Sequence, residues 1–313
     1  MKVGVTSRSF SKNKFLRNEL LKRYPNSKFN DEGKSLKGEK LINFLCDCDK
    51  AIIALETLDK EALTKLPKLK VIGKYGVGLD KLDLKLMSQL NIKIGWTPGV
   101  NARGVSELTL GFMISALRKL RLCQSQILSE NFRQIQGDNL SNKVVGIVGC
   151  GNVGKDLVEI LKPFNCKILV NDIIEYNEFY KKHKLIKCDF KNILKSSDII
   201  TLHTPLTSKT INLIGKNEIS IMKDNAILIN TARGRLIDEN ALLNGLLTGK
   251  LASAALDVFF EEPPLNKSLL NHNNLIMSPH IGGSTQESIL AMGLSAIDGL
   301  DSFQDPINLL KFQ

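Results

Sequence analysis

At 313 residues the chain is longer than most single domains, so two domains that share one cleft are expected. Hydrophobic residues make up 43% and charged residues 24% of the chain, which excludes a disordered protein and agrees with a folded enzyme. The formal net charge of +11 leaves nucleic acid, anionic membranes and anionic small molecules open as partners. Because the lysines are scattered and aromatic residues are only 6%, we expect a small-molecule partner and neither nucleic acid nor membrane.

The first 99 residues alternate short β-rich runs with amphipathic helical runs, which predicts a parallel sheet of βαβ units. Strands are predicted at 2–6, 51–54, 71–74 and 93–95, and helices at 13–24, 37–45, 61–66 and 81–90. A Thr97-Pro98-Gly99 turn then precedes a long apolar-periodic helix from about Ala102 to about Leu120. The apolar residues of this helix suggest a homodimer surface, although a core helix would explain them equally well.

A second βα series begins at Lys143-Val-Val-Gly-Ile-Val-Gly149, which has the composition of a buried strand followed at once by a glycine-rich turn. Further strands are predicted at 167–171, 199–203, 226–230, 254–257 and 275–278, and a final helix at 286–301. The final helix is long enough to return to the first domain. The predicted fold class is therefore α/β, with two Rossmann-like doubly wound parallel-sheet domains.

Gly149-Cys-Gly151-Asn-Val-Gly154 matches the GxGxxG pattern between a strand and an apolar helix, and Asp172 ends the next strand at the expected distance. In such a turn Gly149 permits the tight bend, Gly151 lets a pyrophosphate approach the backbone, and Gly154 lets helix and strand pack closely. We expect Asp172 to accept hydrogen bonds from a ribose and to repel a 2′-phosphate, which favours NAD over NADP. A purely structural glycine turn is the alternative.

Three longer strings follow in order: Ile229-Asn-Thr-Ala-Arg-Gly234, then Ala255-Leu-Asp-Val-Phe259 with Glu261-Glu-Pro-Pro264, then Ser278-Pro-His-Ile-Gly-Gly283. With the glycine turn upstream, nearly the whole chain resembles the D-isomer-specific 2-hydroxyacid dehydrogenase family, which includes D-3-phosphoglycerate, glycerate, formate and D-lactate dehydrogenases. The resemblance implies a flavodoxin-like substrate domain at 1–99 and 285–313, into which an NAD-binding domain at 100–284 is inserted.

The resemblance also implies a catalytic trio of Arg233, Glu262 and His280, and the chemistry asks for the same residue types. A guanidinium can hold the carboxylate of a 2-keto acid with two hydrogen bonds and polarise its ketone. An imidazole can donate a proton during reduction and accept one during oxidation, and a neighbouring carboxylate fixes its orientation. The alternatives are Glu261 as that carboxylate and a surface ion pair for Arg233.

By the same resemblance, a larger set of residues contacts NAD. Asn152 and Val153 present backbone N–H groups to the pyrophosphate, and Asp257 contacts the nicotinamide carboxamide. Thr204 and Pro205 are expected on the adenosine side, and Thr231 and Ala232 near the nicotinamide ribose. The set also includes Gly282 and Gly283. His203 is expected to be structural, and the sequence predicts no bound metal because no CxxC pair or zinc-ribbon spacing occurs.

Lys74-Tyr-Gly76-Val77-Gly78 resembles the family's substrate loop, in which the backbone N–H groups of Gly76, Val77 and Gly78 form a nest for the substrate carboxylate. Lys74 and Asn101 are the side chains expected nearest the substrate, although Lys74 could instead be a solvated lysine at a strand end. The chain departs from phosphoglycerate-type members at Ala54-Leu-Glu56-Thr57, where they often carry arginine or serine. A carboxylate at Glu56 would repel a phosphate if it faced the cleft.

The sequence thus predicts an NAD-dependent oxidoreductase that interconverts a small D-2-hydroxy acid and its 2-keto acid. The leading single substrate is 3-phosphoglycerate, oxidised to 3-phosphohydroxypyruvate, because Lys74, Arg8 and Arg103 could supply positive charge. The alternative is a protein that binds and senses NAD(H) on the same fold without significant turnover. A homodimer is expected from the long apolar helix and the family resemblance. A cytoplasmic location is expected because the N-terminal segment has no apolar signal region and the spacing of the six cysteines is typical of a reducing compartment.

Overall fold

A computed structural model describes residues 1–312 and divides the chain into two compact units. Unit 1 comprises Met1–Asn101 and Gly283–Gln313, and unit 2 comprises Ala102–Gly282. Unit 2 is therefore inserted, in sequence, between the two parts of unit 1. Within residues 1–312, no helix combines the length and apolar character needed to cross a bilayer. Domain boundaries at 99/100 and 284/285 stay a prediction.

Short strands and helices alternate along the chain. The strands are β1 (Val3–Val5), β2 (Ser27–Phe29), β3 (Lys50–Ile53), β4 (Val71–Lys74), β5 (Lys93–Gly95), β6 (Val144–Val148), β7 (Lys167–Asn171), β8 (Ile186–Lys187), β9 (Ile199–Leu202), β10 (Ala226–Asn230), β11 (Leu251–Leu256) and β12 (Leu275–Met277). The helices are α1 (Arg8–Lys12), α2 (Lys14–Arg23), α3 (Glu39–Leu45), α4 (Lys60–Thr64), α5 (Leu84–Gln89), α6 (Ala102–Leu117), α7 (Leu120–Leu128), α8 (Asn152–Leu161), α9 (Asn177–Lys182), α10 (Phe190–Ser196), α11 (Lys216–Ile221), α12 (Glu239–Leu247), α13 (Lys267–Leu270) and α14 (Gln286–Asp298).

Each unit contains one parallel sheet, so the predicted α/β class is confirmed. The sheet of unit 1 has the order β2-β1-β3-β4-β5, the flavodoxin-like arrangement. The sheet of unit 2 has the order β12-β11-β10-β9-β6-β7-β8, a Rossmann order with one further strand. Apolar side chains bury both of its faces, as Ile227 and Leu228 of β10 show by pointing to opposite sides.

The order of the unit 2 sheet reverses between β6 and β9, which pair directly with each other. In open parallel sheets, ligands bind beyond the carboxyl ends of the strands at such a switch point. A ligand site is therefore expected at the loops after β6 and β9.

Sequence periodicity missed several short elements, α1, β2 and β8 among them, and misplaced a helix end. α1 and β2 were not predicted, because elements of 5 and 3 residues are too short to show a hydrophobic period. The single helix expected from Ala102 to Leu120 is wrong at its C-terminal end: it stops at Leu117, and α7 begins after Lys119. The cause is a left-handed backbone at Lys119, where φ is 53°.

α14 completes unit 1 by packing very closely on the first sheet. A Cβ atom on Gly73 of β4 would lie 2.2 Å from the carbonyl oxygen of Ala296, and one on Gly95 of β5 would lie 2.0 Å from that of Gly299. Beyond the helix, the buried Lys50 ammonium donates a hydrogen bond of 2.6 Å to the carbonyl oxygen of Leu300. The contact between helix and sheet therefore requires glycine at these strand positions.

Replacing Gly95 with alanine is expected to lower the free energy of unfolding by about 2 kcal/mol or more, because the added methyl group meets backbone atoms that cannot turn away. Gly111→Ala is the matched control. Gly111 lies in α6 with open space at its Cβ position, so alanine should raise helix stability by up to about 1 kcal/mol. Urea unfolding followed by circular dichroism measures both variants, and equal midpoints would contradict the packing described here.

Candidate active site

The candidate residues of unit 2 follow the carboxyl ends of parallel strands, which places them along one edge of the sheet. In strand order from the edge, His280 follows β12, Asp257 follows β11, Arg233 follows β10, Thr204 follows β9, Gly149 follows β6 and Asp172 follows β7. The sequence separates these residues by as much as 131 positions, from Gly149 to His280. The fold brings their strands together.

The glycine turn after β6 has the geometry of a phosphate site. Gly149 adopts φ 94°, and a Cβ there would lie 2.7 Å from the carbonyl oxygen of His203. A Cβ on Gly154 would lie 2.3 Å from the carbonyl oxygen of Gly149, whereas one on Gly151 would meet open space. α8 begins at Asn152, directly after Gly151, so the N–H groups of its first turn, Val153 included, have no partner within the helix and can bind an anion. The residues present therefore fit a bound pyrophosphate.

Asp172 is held beside this turn. Its carboxylate accepts the backbone N–H of Cys150 at 2.6 Å and that of Ile174 at 2.8 Å. Each oxygen keeps a further lone pair for a ribose hydroxyl. Burial raises the pKa of the Cys150 thiol to about 11, so the thiol stays neutral and adds no negative charge near the phosphates.

The loop after β9 contributes a hydroxyl group that lacks a partner. Thr204 Oγ1 is buried and has no hydrogen-bond partner among residues 1–312, as expected for a group that a bound nucleotide would satisfy. Pro205 follows it and is exposed. Desolvation lowers the pKa of the neighbouring His203 to about 3, and its Nε2 lies 2.9 Å from Thr201 Oγ1. His203 is therefore neutral at ordinary pH and poorly suited to proton transfer.

A buried asparagine shapes the turn that carries Arg233. Asn230, at the end of β10, donates from Nδ2 to the carbonyl oxygen of Arg233 at 2.8 Å and accepts the N–H of Ala232 at 3.0 Å. Thr231 Oγ1 lies 3.0 Å from Thr109 Oγ1 of α6. Asn230 is absent from the residues predicted from the sequence, although a polar residue at the end of the apolar run Ala-Ile-Leu-Ile is a usable signal.

The predicted catalytic residues belong to one continuous set of contacts. A Cβ on Gly234 would lie 1.9 Å from the carbonyl oxygen of Phe259, so the Arg233 turn rests directly on that backbone. The N–H of Phe259 donates to Glu262 Oε1 at 3.4 Å, and Glu262 Oε2 lies 2.9 Å from His280 Nδ1. Glu262 is thus the carboxylate in contact with the imidazole.

Asp257 fixes the loop that carries His280. His280 has a left-handed backbone, with φ 55°, and its N–H donates to the carbonyl oxygen of Asp257 at 2.8 Å. The Asp257 carboxylate accepts the N–H of Ile281 at 2.7 Å and that of Gly282 at 2.8 Å, and it also accepts the hydroxyl of Ser278. Asp257 is only 1% exposed. Its predicted contact with the nicotinamide stays a prediction, and its bonds to this loop are an additional role.

Lys74 of unit 1 is buried, so the reading of this residue as a solvated strand-end lysine is wrong. Its ammonium group donates to the carbonyl oxygen of Ala54. The loop that follows turns at Gly76, where φ is 114°, and the carbonyl oxygen of Val77 accepts the indole N–H of Trp96 at 3.0 Å. Gly78 ends this glycine loop.

Asn101 of unit 1 is buried against Gly283, where a Cβ would lie 2.8 Å from Asn101 Nδ2. Its Oδ1 is buried and has no hydrogen-bond partner among residues 1–312.

Arg103 of unit 2 forms an ion pair with Asp156 at 2.9 Å. The positive charge of Arg103, predicted from the sequence to help hold a phosphate, is therefore balanced by a carboxylate. No group of three or more His, Cys, Asp and Glu side chains in residues 1–312 is arranged to hold a metal ion.

A glycine turn at a helix N-terminus, an acidic residue after the next strand and a paired glutamate and histidine define a dinucleotide-binding domain of the dehydrogenase type. Comparison with known proteins agrees. The family model described as D-isomer specific 2-hydroxyacid dehydrogenase, NAD binding domain, matches residues 110–282.

Two relatives and one solved structure show how far the similarity extends. The D-3-phosphoglycerate dehydrogenase of Methanocaldococcus jannaschii is 37% identical over 262 residues, which cover 82% of this chain and 50% of that protein. The glyoxylate reductase of Thermococcus litoralis is 36% identical over 275 residues, 83% of each chain. The structure of NAD-dependent formate dehydrogenase from Staphylococcus aureus in complex with NAD has a TM-score of 0.83, with 28% identity and 98% of each chain covered.

The chain belongs to the D-isomer-specific 2-hydroxyacid dehydrogenase family. The resemblance drawn from the sequence motifs is confirmed, and so is NAD as the cofactor. The chain spans about half the length of the phosphoglycerate dehydrogenase relative and most of the length of the glyoxylate reductase.

Asp257→Asn is expected to lower kcat by about 100-fold. The amide N–H₂ replaces one carboxylate oxygen and cannot accept the loop N–H that this oxygen accepts, so the His280 imidazole is no longer held in its position. Asp238→Asn is the matched control. Asp238 also accepts two backbone N–H groups, at the start of α12, where asparagine caps equally well. Steady-state kinetics with NADH and a 2-keto acid measure kcat, and wild-type kcat in Asp257→Asn would contradict the positioning role.

Proposed function

We propose that the protein interconverts a small D-2-hydroxy acid and its 2-keto acid, with NAD as the hydride carrier. The observation that carries this proposal is the 2.9 Å contact between His280 Nδ1 and Glu262 Oε2, at the same edge of the sheet as the glycine turn. A paired imidazole serves proton transfer, and a nucleotide domain serves hydride transfer. The two together fit a dehydrogenase.

Each residue of the trio has a role in this proposal. Contact through Nδ1 leaves Nε2 of His280 to donate a proton to the substrate oxygen during reduction and to accept it during oxidation. Glu262 orients the ring and balances the charge of the imidazolium. Arg233 holds the substrate carboxylate and polarises the ketone with its planar fork.

The nucleotide is held by the residues placed along the switch point. N–H groups of Asn152 and Val153 at the start of α8 receive the pyrophosphate, and Asp172 receives the adenosine ribose. The remaining contacts come from Thr204, Pro205, Thr231, Ala232, Asp257, Gly282 and Gly283. When bound, NAD supplies the hydride acceptor for oxidation, and NADH supplies the hydride for reduction.

The substrate acid is received, in this proposal, by unit 1. The glycine loop from Gly76 through Val77 to Gly78 takes the carboxylate, and the buried Lys74 and Asn101 lie closest to it. The unpartnered Oδ1 of Asn101 supports a ligand there. The names of the relatives include a phosphorylated acid and glyoxylate, which both belong to the same 2-hydroxy and 2-keto acid class.

A protein that senses NAD(H) without turnover would also bind the nucleotide. The contact between Glu262 and His280 favours chemistry over sensing, because binding alone does not need a paired imidazole. A cytoplasmic location, expected from the sequence, stays a prediction.

His280→Ala is expected to lower turnover by about 100-fold or more, while NADH binding survives, because the imidazole transfers a proton and does not hold the nucleotide. His272→Ala, in the turn before β12, is the control and should keep wild-type turnover. NADH consumption with a panel of 2-keto acids and NADH fluorescence titration measure the two quantities. A wild-type protein that binds NADH but reduces none of these acids would favour the sensor.

We also propose a homodimer formed through α7. None of the residues of α7 is buried, and several of its apolar side chains are exposed to solvent. The exposed fraction is 51% for Leu120, 60% for Ile127, 78% for Leu128 and 92% for Phe132, just beyond the helix. Monomeric proteins rarely expose large apolar patches. A second copy of the chain is the occupant that the family resemblance predicts.

Leu128→Glu is expected to convert the dimer to a monomer, because a charge in an apolar interface loses its hydration. Light scattering should give twice the chain mass of 34.7 kDa for the wild-type protein and one chain mass for the variant. A monomeric wild-type protein would contradict the proposal.

A further inference from the structure

Two loops of unit 1 are held side by side at the carboxyl edge of its sheet. β3 and β4 are parallel neighbours, with Ile53 opposite Lys74, and the chains pair again after the loops, where Leu58 lies opposite Leu82. The N–H of Leu58 donates to the carbonyl oxygen of Lys81 at 3.1 Å. Pairing at both ends keeps the loop at 54–57 beside the glycine loop at 76–78.

A single carboxylate is fixed in the first of these loops. Glu56 is partly buried, and its Oε2 accepts the backbone N–H of Ala54 at 2.8 Å, so the side chain folds back onto the end of β3. The carbonyl oxygen of the same Ala54 accepts the Lys74 ammonium. Glu56 and Lys74 therefore bond to one residue, next to the glycine loop.

The Glu56 carboxylate and the Lys74 ammonium both lie beside the glycine loop. In the proposed function this loop takes the single carboxylate of the acid. A phosphate on the third carbon would add about −1.5 to −2 charge beside the Glu56 carboxylate. Arg8 follows β1, on the other side of β3, so in strand order Glu56 lies between that guanidinium and the glycine loop.

We propose that Glu56 is a specificity-determining residue that excludes a phosphorylated acid and favours a short 2-keto acid whose third carbon is absent, apolar or carries a hydroxyl group. A hydroxyl can donate a hydrogen bond to the carboxylate, whereas a phosphate is repelled by it. This inference rests on the proposed function, and it replaces 3-phosphoglycerate, the leading guess from sequence, with an unphosphorylated substrate.

Hydroxypyruvate and its 3-phosphorylated form are a matched pair of probes, because they differ only in the phosphate on the third carbon. The experiment measures kcat/KM for both acids with NADH, in the wild-type protein and in Glu56→Gln. Glutamine keeps an oxygen for the N–H of Ala54 and removes only the charge. Glu61→Gln is the control. Glu61 is an exposed residue of α4, five positions after Glu56, so its replacement removes the same charge at a different place.

The wild-type protein is expected to prefer hydroxypyruvate by about 10-fold or more. Glu56→Gln should raise kcat/KM for the phosphorylated acid by about 10-fold and leave that for hydroxypyruvate within about 3-fold, while Glu61→Gln changes neither. Added salt should narrow the wild-type preference, because it screens the repulsion.

A wild-type preference for the phosphorylated acid, or an unchanged ratio in Glu56→Gln, would overturn the role of Glu56. An equal change in Glu61→Gln would also overturn it, because net charge would then be the cause. Turnover of both acids without selectivity leaves the dehydrogenase function intact and removes only this inference. Absence of turnover with either acid, in a protein that binds NADH, removes the proposed function itself.

Discussion

The hydrogen bonds of the buried Asp257 carboxylate hold the candidate active site in place. The backbone N–H groups of Ile281 and Gly282 both donate to this carboxylate. These bonds fix the position of the loop after β12. His280 has a left-handed backbone that a histidine seldom adopts without such support. The imidazole then meets Glu262. Proton transfer thus depends on a carboxylate that itself transfers no proton in the proposed reaction.

Much of this arrangement could be predicted from the sequence, because its causes are local. The glycine turn needs small residues in a fixed pattern, and buried parallel strands are apolar throughout, so the α/β class, the family and NAD followed from single segments. The break at Lys119 and the edge strand β2 could not be predicted, because neither leaves a periodic pattern. The roles of Asn230 and Asp257 in shaping loops depend on bonds that only the folded chain reveals.

In the proposed function, the two units recognise different ligands. Unit 2 combines backbone N–H groups at a helix start with one acidic residue, which suits a large ligand of constant structure. Unit 1 offers a glycine loop beside Lys74 and Glu56, whose charged groups both bond to Ala54. Variation in such a short loop can change the acid that is accepted without disturbing the nucleotide or the proton-transfer pair.

The close packing of α14 on Gly73 and Gly95 has a consequence for the order of assembly during translation. The strands of unit 2 lie in one uninterrupted segment of the chain. Its sheet can therefore form as soon as that segment has left the ribosome. The sheet of unit 1 is synthesised first, yet the helix that covers its glycine strands emerges only after the whole inserted segment. The first part of the protein to be made is therefore the last to be completed.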